Sequence, residues 1–247
     1  MNTIEPQAGG HHWQQWLDWA AQNGAAVPDD AEFNEARARV WEASEFAALT
    51  AARSPETLAA LITDGDLSRS LTADDLSRQL RAALAELTDE ASLHKALRVF
   101  RRRQMLRIVW RDLSGWADLD ETLEDLSALA DCCIQQALAR LRTWIEAEVG
   151  VPRDADGVAQ SLVVLGMGKL GARELNLSSD IDLIFAFPST GEVSDGTRPL
   201  SNEQFFTRLC QRLVKALDAQ TVDGFVFRVD TRLRPFGAAG PLAMSFD

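Results

Sequence analysis

The chain has 247 residues with 46% hydrophobic side chains, enough to bury one large core or two modest ones. It contains no run of eighteen apolar residues, which excludes a membrane-spanning helix, and its formal charge of -12 argues against nucleic acid as a partner. Its three cysteines, Cys132 beside Cys133 and Cys210 far away, match neither a disulfide framework nor zinc-ligand spacing, so a reducing, cytoplasmic setting is expected.

The leader, residues 1–15, is polar and lacks the basic and apolar regions of a signal peptide. Helix signals then follow one another from 12 to 149. Trp13, Trp16 and Trp19 are three apart, as on an amphipathic helix. Ser54-Pro55-Glu56 reads as an N-cap, a first-turn proline and a first-turn acid. After a break at Gly65, Thr72-Ala73-Asp74-Asp75 reads as a second cap. Long helices are predicted at about 89–113 and 119–149, the latter closed by Gly150 and Pro152. Arg103, Arg107 and Arg111 form an i, i+4 stripe, expected to pair with neighbouring acids in so acidic a chain. His94 is expected to be solvated, Cys132 and Cys133 structural, and the seven tryptophans core anchors. His11 and His12 have no third ligand in view.

Residues 150–160 read as a polar linker, and the pattern changes beyond it. From Val158 onward 9 basic residues face 10 acidic ones, so the acidity belongs to the preceding part. Residues 161–165 read as a buried strand, 180–187 as a second, 201–220 as a helix and 225–233 as a third strand. The prediction is an α+β chain: a helical bundle over 1–157, then a small mixed sheet over 158–247.

Side chains alternate along a strand, so Asp180 and Asp182 share one face, about 7 Å apart. Such carboxylates repel unless a cation lies between them, and hard oxygen donors suit Mg²⁺. An isolated Asp-x-Asp is more often just the polar face of a strand; two neighbours change the balance. Upstream, Gly166, Gly168, Lys169 and Gly171 follow a strand, with Ser178 and Ser179 just before Asp180, supplying donors for phosphate. Downstream, Arg228, Asp230, Arg232 and Arg234 share a face if their strand stays extended. A third carboxylate beside arginines suits phosphoryl transfer.

A Gly-x-Gly after one strand, Asp-x-Asp on the next and a lone Asp on a third resembles the polymerase-β-like nucleotidyltransferases. Within them, LGMGKLGARELNLSSDIDLIFAF (165–187), FVFRVDTRLRPFGAAGPLAMSF (225–246) and LRVFRRRQMLRIVWRDLSG (97–115) closely resemble the glutamine synthetase adenylyltransferase family. Its members carry two such halves, one attaching AMP to a tyrosine of glutamine synthetase and one removing it by phosphorolysis. Met167, the Arg-Glu-Leu-Asn at 173–176, the Arg-Pro-Phe-Gly at 234–237 and the helical lead-in resemble the removing half.

The resemblance implies Mg²⁺ on Asp180, Asp182 and Asp230, with ATP or ADP and phosphate as small ligands. The glycine turn, Lys169, Ser178 and Ser179 would seat nucleotide phosphates, and Arg232 and Arg234 the attacking phosphate. The implied partners are glutamine synthetase as protein substrate and a PII-type signal protein. The alternatives are AMP transfer from ATP and a non-catalytic docking module for either protein. Ala172 departs from the family's usual glycine, and the chain stops at Asp247, so the rest of the domain and the second half are expected to lie outside this sequence.

Overall fold

Side-chain caps set several helix starts in the computed structural model, which describes residues 8–194 and 200–247. The first seven residues of the predicted leader lie outside the described residues. Helices α1 (Ala8–Asn23), α2 (Ala31–Ala43), α3 (Glu45–Arg53), α4 (Pro55–Thr63), α5 (Ala73–Leu84), α6 (Glu90–Ser114) and α7 (Leu119–Val149) follow in order, as the helical reading expects. Asp30 caps α2 by accepting the Phe33 N–H at 2.7 Å, and Ser44 caps α3 by accepting the Ala47 N–H at 3.2 Å. Pro55 opens α4 as predicted, but Ser54 makes no side-chain cap bond. No helix among the described residues is long and apolar enough to cross a membrane.

The chain packs as two compact units, the division falling inside α6 and α7. The first contains residues up to Thr72 and Phe100–Leu126. Its core is aromatic: Phe33 stacks on Trp110 at 5.3 Å, and Trp41 meets Trp110 edge-on at 5.5 Å. Trp16, Trp41 and Trp110 are buried and Trp13, Trp19 and Trp116 pack against them, which bears out the core reading for these six. The arginine stripe is salt-bridged within this unit. Arg103 reaches Asp64 and Asp66 at 2.9 Å each, Arg107 reaches Asp125 at 2.7 Å, and Arg111 reaches Glu121 at 2.7 Å.

The second unit contains Ala73–Val99 and Ser127–Asp247, so α5 and most of α7 pack with the sheet. The change in sequence pattern at 157 is therefore not where the packing divides. Residues 150–160 are not an open linker: Val151–Arg153 forms β1, paired antiparallel with β4 (Glu192–Ser194). The main sheet has β2 (Val163–Met167) antiparallel to β3 (Ile181–Phe187). The other edge of β3 is shared by two short parallel strands, β5 (Val229–Asp230) and β6 (Ala243–Ser245). A single turn of helix, α8 (Gly168–Gly171), follows β2, and α9 (Asn202–Asp218) starts with a capping box of Ser201 and Gln204.

The odd-numbered side chains of β3 are its core face. Ile181, Leu183, Phe185 and Phe187 are all buried, and Phe187 stacks on Phe206 of α9 at 4.8 Å. The three cysteines are buried thiols outside any disulfide among the described residues, and burial pushes the Cys132 thiol up to about 11, consistent with a structural role.

Candidate active site

Strand register brings two of the three predicted carboxylates together. Asp182 on β3 and Asp230 on β5 are direct partners in a parallel pair, so both lie on the same face. Asp180 stands just before β3, where the Ile181 N–H donates to the Arg228 carbonyl at 2.9 Å. The glycine turn closes on the same place. A Cβ on Gly168, whose φ is +53°, would fall 2.7 Å from Asp182 Oδ2, so any side chain there collides with the carboxylate.

The other glycines have a different reason to be glycine. A Cβ on Gly171 would meet the Gly166 carbonyl oxygen at 2.6 Å, and one on Gly166 would crowd Leu170 at 3.1 Å. These two let α8 fold back onto β2; only Gly168 faces a carboxylate. Lys169 is exposed. The Ser179 hydroxyl donates to Asn176 Oδ1 at 2.6 Å, so it is used within its own turn, and the Ser178 carbonyl accepts from Arg228 at 2.7 Å.

The predicted strand at 225–233 is only two residues long. After Asp230 the chain turns, so Arg232 and Arg234 are not placed by strand alternation. Arg232 folds back on Asp230: its Nε donates to Oδ2 at 2.9 Å, its Nη2 donates to the same oxygen, and its backbone N–H donates to Oδ1 at 2.8 Å. The side-chain bonds first and the backbone bond next hold the Asp230 carboxyl down at about 2. Arg232 is pushed up, chiefly by Asp230 and more weakly by Asp182 and Asp180, so all three carboxylates act on this one guanidinium. Arg234 instead clamps its own loop, donating to the Thr231 carbonyl at 2.7 Å and the Thr231 hydroxyl at 2.9 Å.

Two arginines acquire roles that the spacing did not reveal. Arg228 pairs with Asp180 through Nε. Arg98 on α6 is buried, and its guanidinium donates to the carbonyls of His94, Ala216, Ala219 and Gly224. It thereby ties the C-terminal end of α9 to the turn that leads into β5. Beside it His94 is half-buried rather than solvated, and burial first, then the Arg98 charge, lowers its pKa.

No three His, Cys, Asp or Glu side chains among the described residues are grouped closely enough to cage a metal ion. Asp180 and Asp230 each have a guanidinium as counter-charge, which a divalent cation would have to replace. The donor set itself fits a hard cation: carboxylate oxygens, two of them from register partners on one face. A cavity of about 230 Å³, lined by Ile134, Leu138, Val164, Leu170 and Leu183 among others, lies on the opposite face of the sheet and contains none of these carboxylates.

The family model described as glutamate-ammonia ligase adenylyltransferase matches residues 35–247. The chain belongs to this family. Among curated relatives named bifunctional glutamine synthetase adenylyltransferase/adenylyl-removing enzyme, that of Thioalkalivibrio sulfidiphilus is 56% identical over 92% of this chain. Those of Nitrosococcus oceani and Pseudomonas aeruginosa are 52% and 54% identical over 84% of it. The chain covers only 23%, 22% and 21% of these three relatives. Within this glutamate-ammonia ligase adenylyltransferase segment, the matched region contains the glycine turn, all three carboxylates and Arg98.

Proposed function

We propose that this chain carries the centre that removes AMP from adenylylated glutamine synthetase by phosphorolysis. An oxygen of inorganic phosphate attacks the phosphorus of the tyrosyl-AMP. The bond from phosphorus to the tyrosyl oxygen breaks, ADP leaves and the tyrosyl oxygen takes a proton. The observation that carries the reading is the convergence of Asp182, its register partner Asp230 and the Gly168 turn on one face. Such a site needs no covalent intermediate; it holds the nucleotide phosphate in line and balances charge.

Asp182 and Asp230, joined by Asp180 once the cation displaces Arg228 from it, would hold magnesium, which would supply neutralisation of phosphate charge. The Gly168 turn admits a phosphate oxygen where a side chain would block it. Arg232, exposed and bonded to Asp230 among the described residues, can exchange that carboxylate for the attacking phosphate. Cytoplasmic glutamine synthetase and a PII-type signal protein are the partners this reading implies.

The test is to incubate adenylylated glutamine synthetase with phosphate, Mg²⁺ and the chain, following ADP release, beside a second arm with unmodified enzyme and ATP. ADP release is expected, with Asp182→Asn reducing it at least about 100-fold at an unchanged melting temperature. AMP incorporation without ADP release would reassign the site to the forward transfer, and near-normal release by Asp182→Asn would remove the carboxylates from it.

A further inference from the structure

The carboxylate face of the sheet carries apolar side chains that are exposed, at Leu165 and Met167, or half-buried, at Ile184. Met167 is the register partner of Asp182, and Leu165 is the register partner of Ile184. Partners across an antiparallel pair point the same way, so Met167, Leu165 and Ile184 share the face of Asp182 and Asp230. Leu165 is 42% exposed and Met167 37% exposed, whereas Ile181, Leu183 and Phe185 on the other face are buried. Leu170 of α8, and Phe206 of α9 through Phe187, pack on that buried face. Strands lie about 4.8 Å apart and a two-residue step covers about 7 Å, so the three side chains make a flat apolar patch of roughly those dimensions.

We propose that Leu165, Met167 and Ile184 seat the base of the bound nucleotide. This rests on the proposed function, which holds the phosphates at Gly168 and Asp182. From that end a ribose reaches one strand step along the face, and the step leads onto Leu165 and Ile184. A purine presents a broad apolar face and a polar edge. Laid on this patch it removes exposed apolar area from water and leaves its ring nitrogens in solvent. The patch offers no side-chain hydrogen-bond donor or acceptor, so it recognises a flat ring and discriminates weakly between purines. The cavity beneath the sheet does not compete for this role, because Val164 and Leu183, which line it, point away from the carboxylates.

The probes are ADP and pyrophosphate, which share phosphates and differ in the base. Binding of each in Mg²⁺ is measured by calorimetry on the 247-residue chain and on Leu165→Thr, Ile184→Thr and Leu165→Met. Threonine keeps the strand preference while removing apolar area. Each Thr variant is expected to weaken ADP about fivefold and to leave pyrophosphate unchanged, with Leu165→Met near wild type. Equal losses for ADP and pyrophosphate would mean a distorted strand and overturn the base seat. Unchanged ADP affinity overturns it too, and if KM for adenylylated glutamine synthetase then rises, the patch takes the protein instead. Wild-type chain that binds neither probe sinks the nucleotide-handling reading itself, an outcome distinct from the loss of the base seat alone.

Discussion

Arginine–carboxylate pairs occur in both units, in opposite settings. In the first unit Arg107 is fully buried against Asp125, with Gln104 accepting from its Nε at 3.1 Å and the Arg69 carbonyl accepting a further donor at 3.3 Å. In the sheet unit Arg232 is 80% exposed and contacts Asp230, whose side chain is 18% exposed. A buried pair cannot lose one member without stranding a charge, so it serves as scaffold. An exposed pair competes with water and ions throughout and can exchange partners at little cost. The same two functional groups thus fix a helix in one place and leave a carboxylate available in the other.

Breaking the buried pair should have the largest effect. Arg107→Ala is expected to cost about 3–5 kcal/mol in chemical denaturation, and joint replacement of Arg107 and Asp125 by apolar residues to recover much of that. A loss under about 1 kcal/mol for the single variant would show that water reaches the pair and erase the contrast.

Arg98 should come next. Arg98→Ala leaves the carbonyls of Ala216, Ala219 and Gly224 without this donor and is expected to cost about 2–4 kcal/mol. As a positioning residue for Asp230 it should also weaken Mg²⁺ binding at temperatures where the variant is still folded. Stability loss with unchanged Mg²⁺ affinity would restrict it to scaffolding.

A smaller effect, confined to acid solution, is expected at His94. Its folded pKa lies below the ordinary 6.5, so the unfolded chain binds more protons in the window between them. Its contribution to stability is complete above about pH 6.5 and is lost as pH falls through that window. His94→Gln should flatten the melting temperature against pH below 6.5; an unchanged slope would assign the acid sensitivity elsewhere.

Arg232→Ala should show the smallest stability change, with no measurable shift in melting temperature. It should tighten Mg²⁺ binding by freeing Asp230, while weakening the dependence of turnover on phosphate. A clear drop in melting temperature would mean that the exposed pair is scaffold after all.

Legibility in the sequence followed the range of the forces involved. Helix α7 runs from Leu119 to Val149 as expected, because acids in its first turn and Gly150 at its end are local signals. The stretch after Asp230 is not the strand its pattern predicts: alternating Arg and Asp imitate period two, but a run of turns begins at Arg232 and Arg234 binds its own loop. Strands β1, β4 and β6, three residues each, are too short to show a period, and only their partners make them strands. In the site, alternation within each strand was legible, but the register that puts Asp182 opposite Asp230 was not, because pairing across strands is set by tertiary contacts. Neither the back-folding of Arg232, which depends on the turn after Asp230, nor the grip of Arg98, which is set by tertiary contacts, was legible.

The divided edge of β3 has a consequence for motion. Its far half is held by β6 at Phe185–Phe187, with the Phe246 N–H donating to the Phe187 carbonyl at 3.0 Å. Its near half is held by the two residues of β5 and by the Ile181 N–H, which donates to the Arg228 carbonyl. Backbone amides of β5 should therefore exchange faster with deuterium than those of β6, in separate opening events. The third carboxylate thus sits on the shorter of the two pairings along this edge, while β2 fixes the register of β3 along the other.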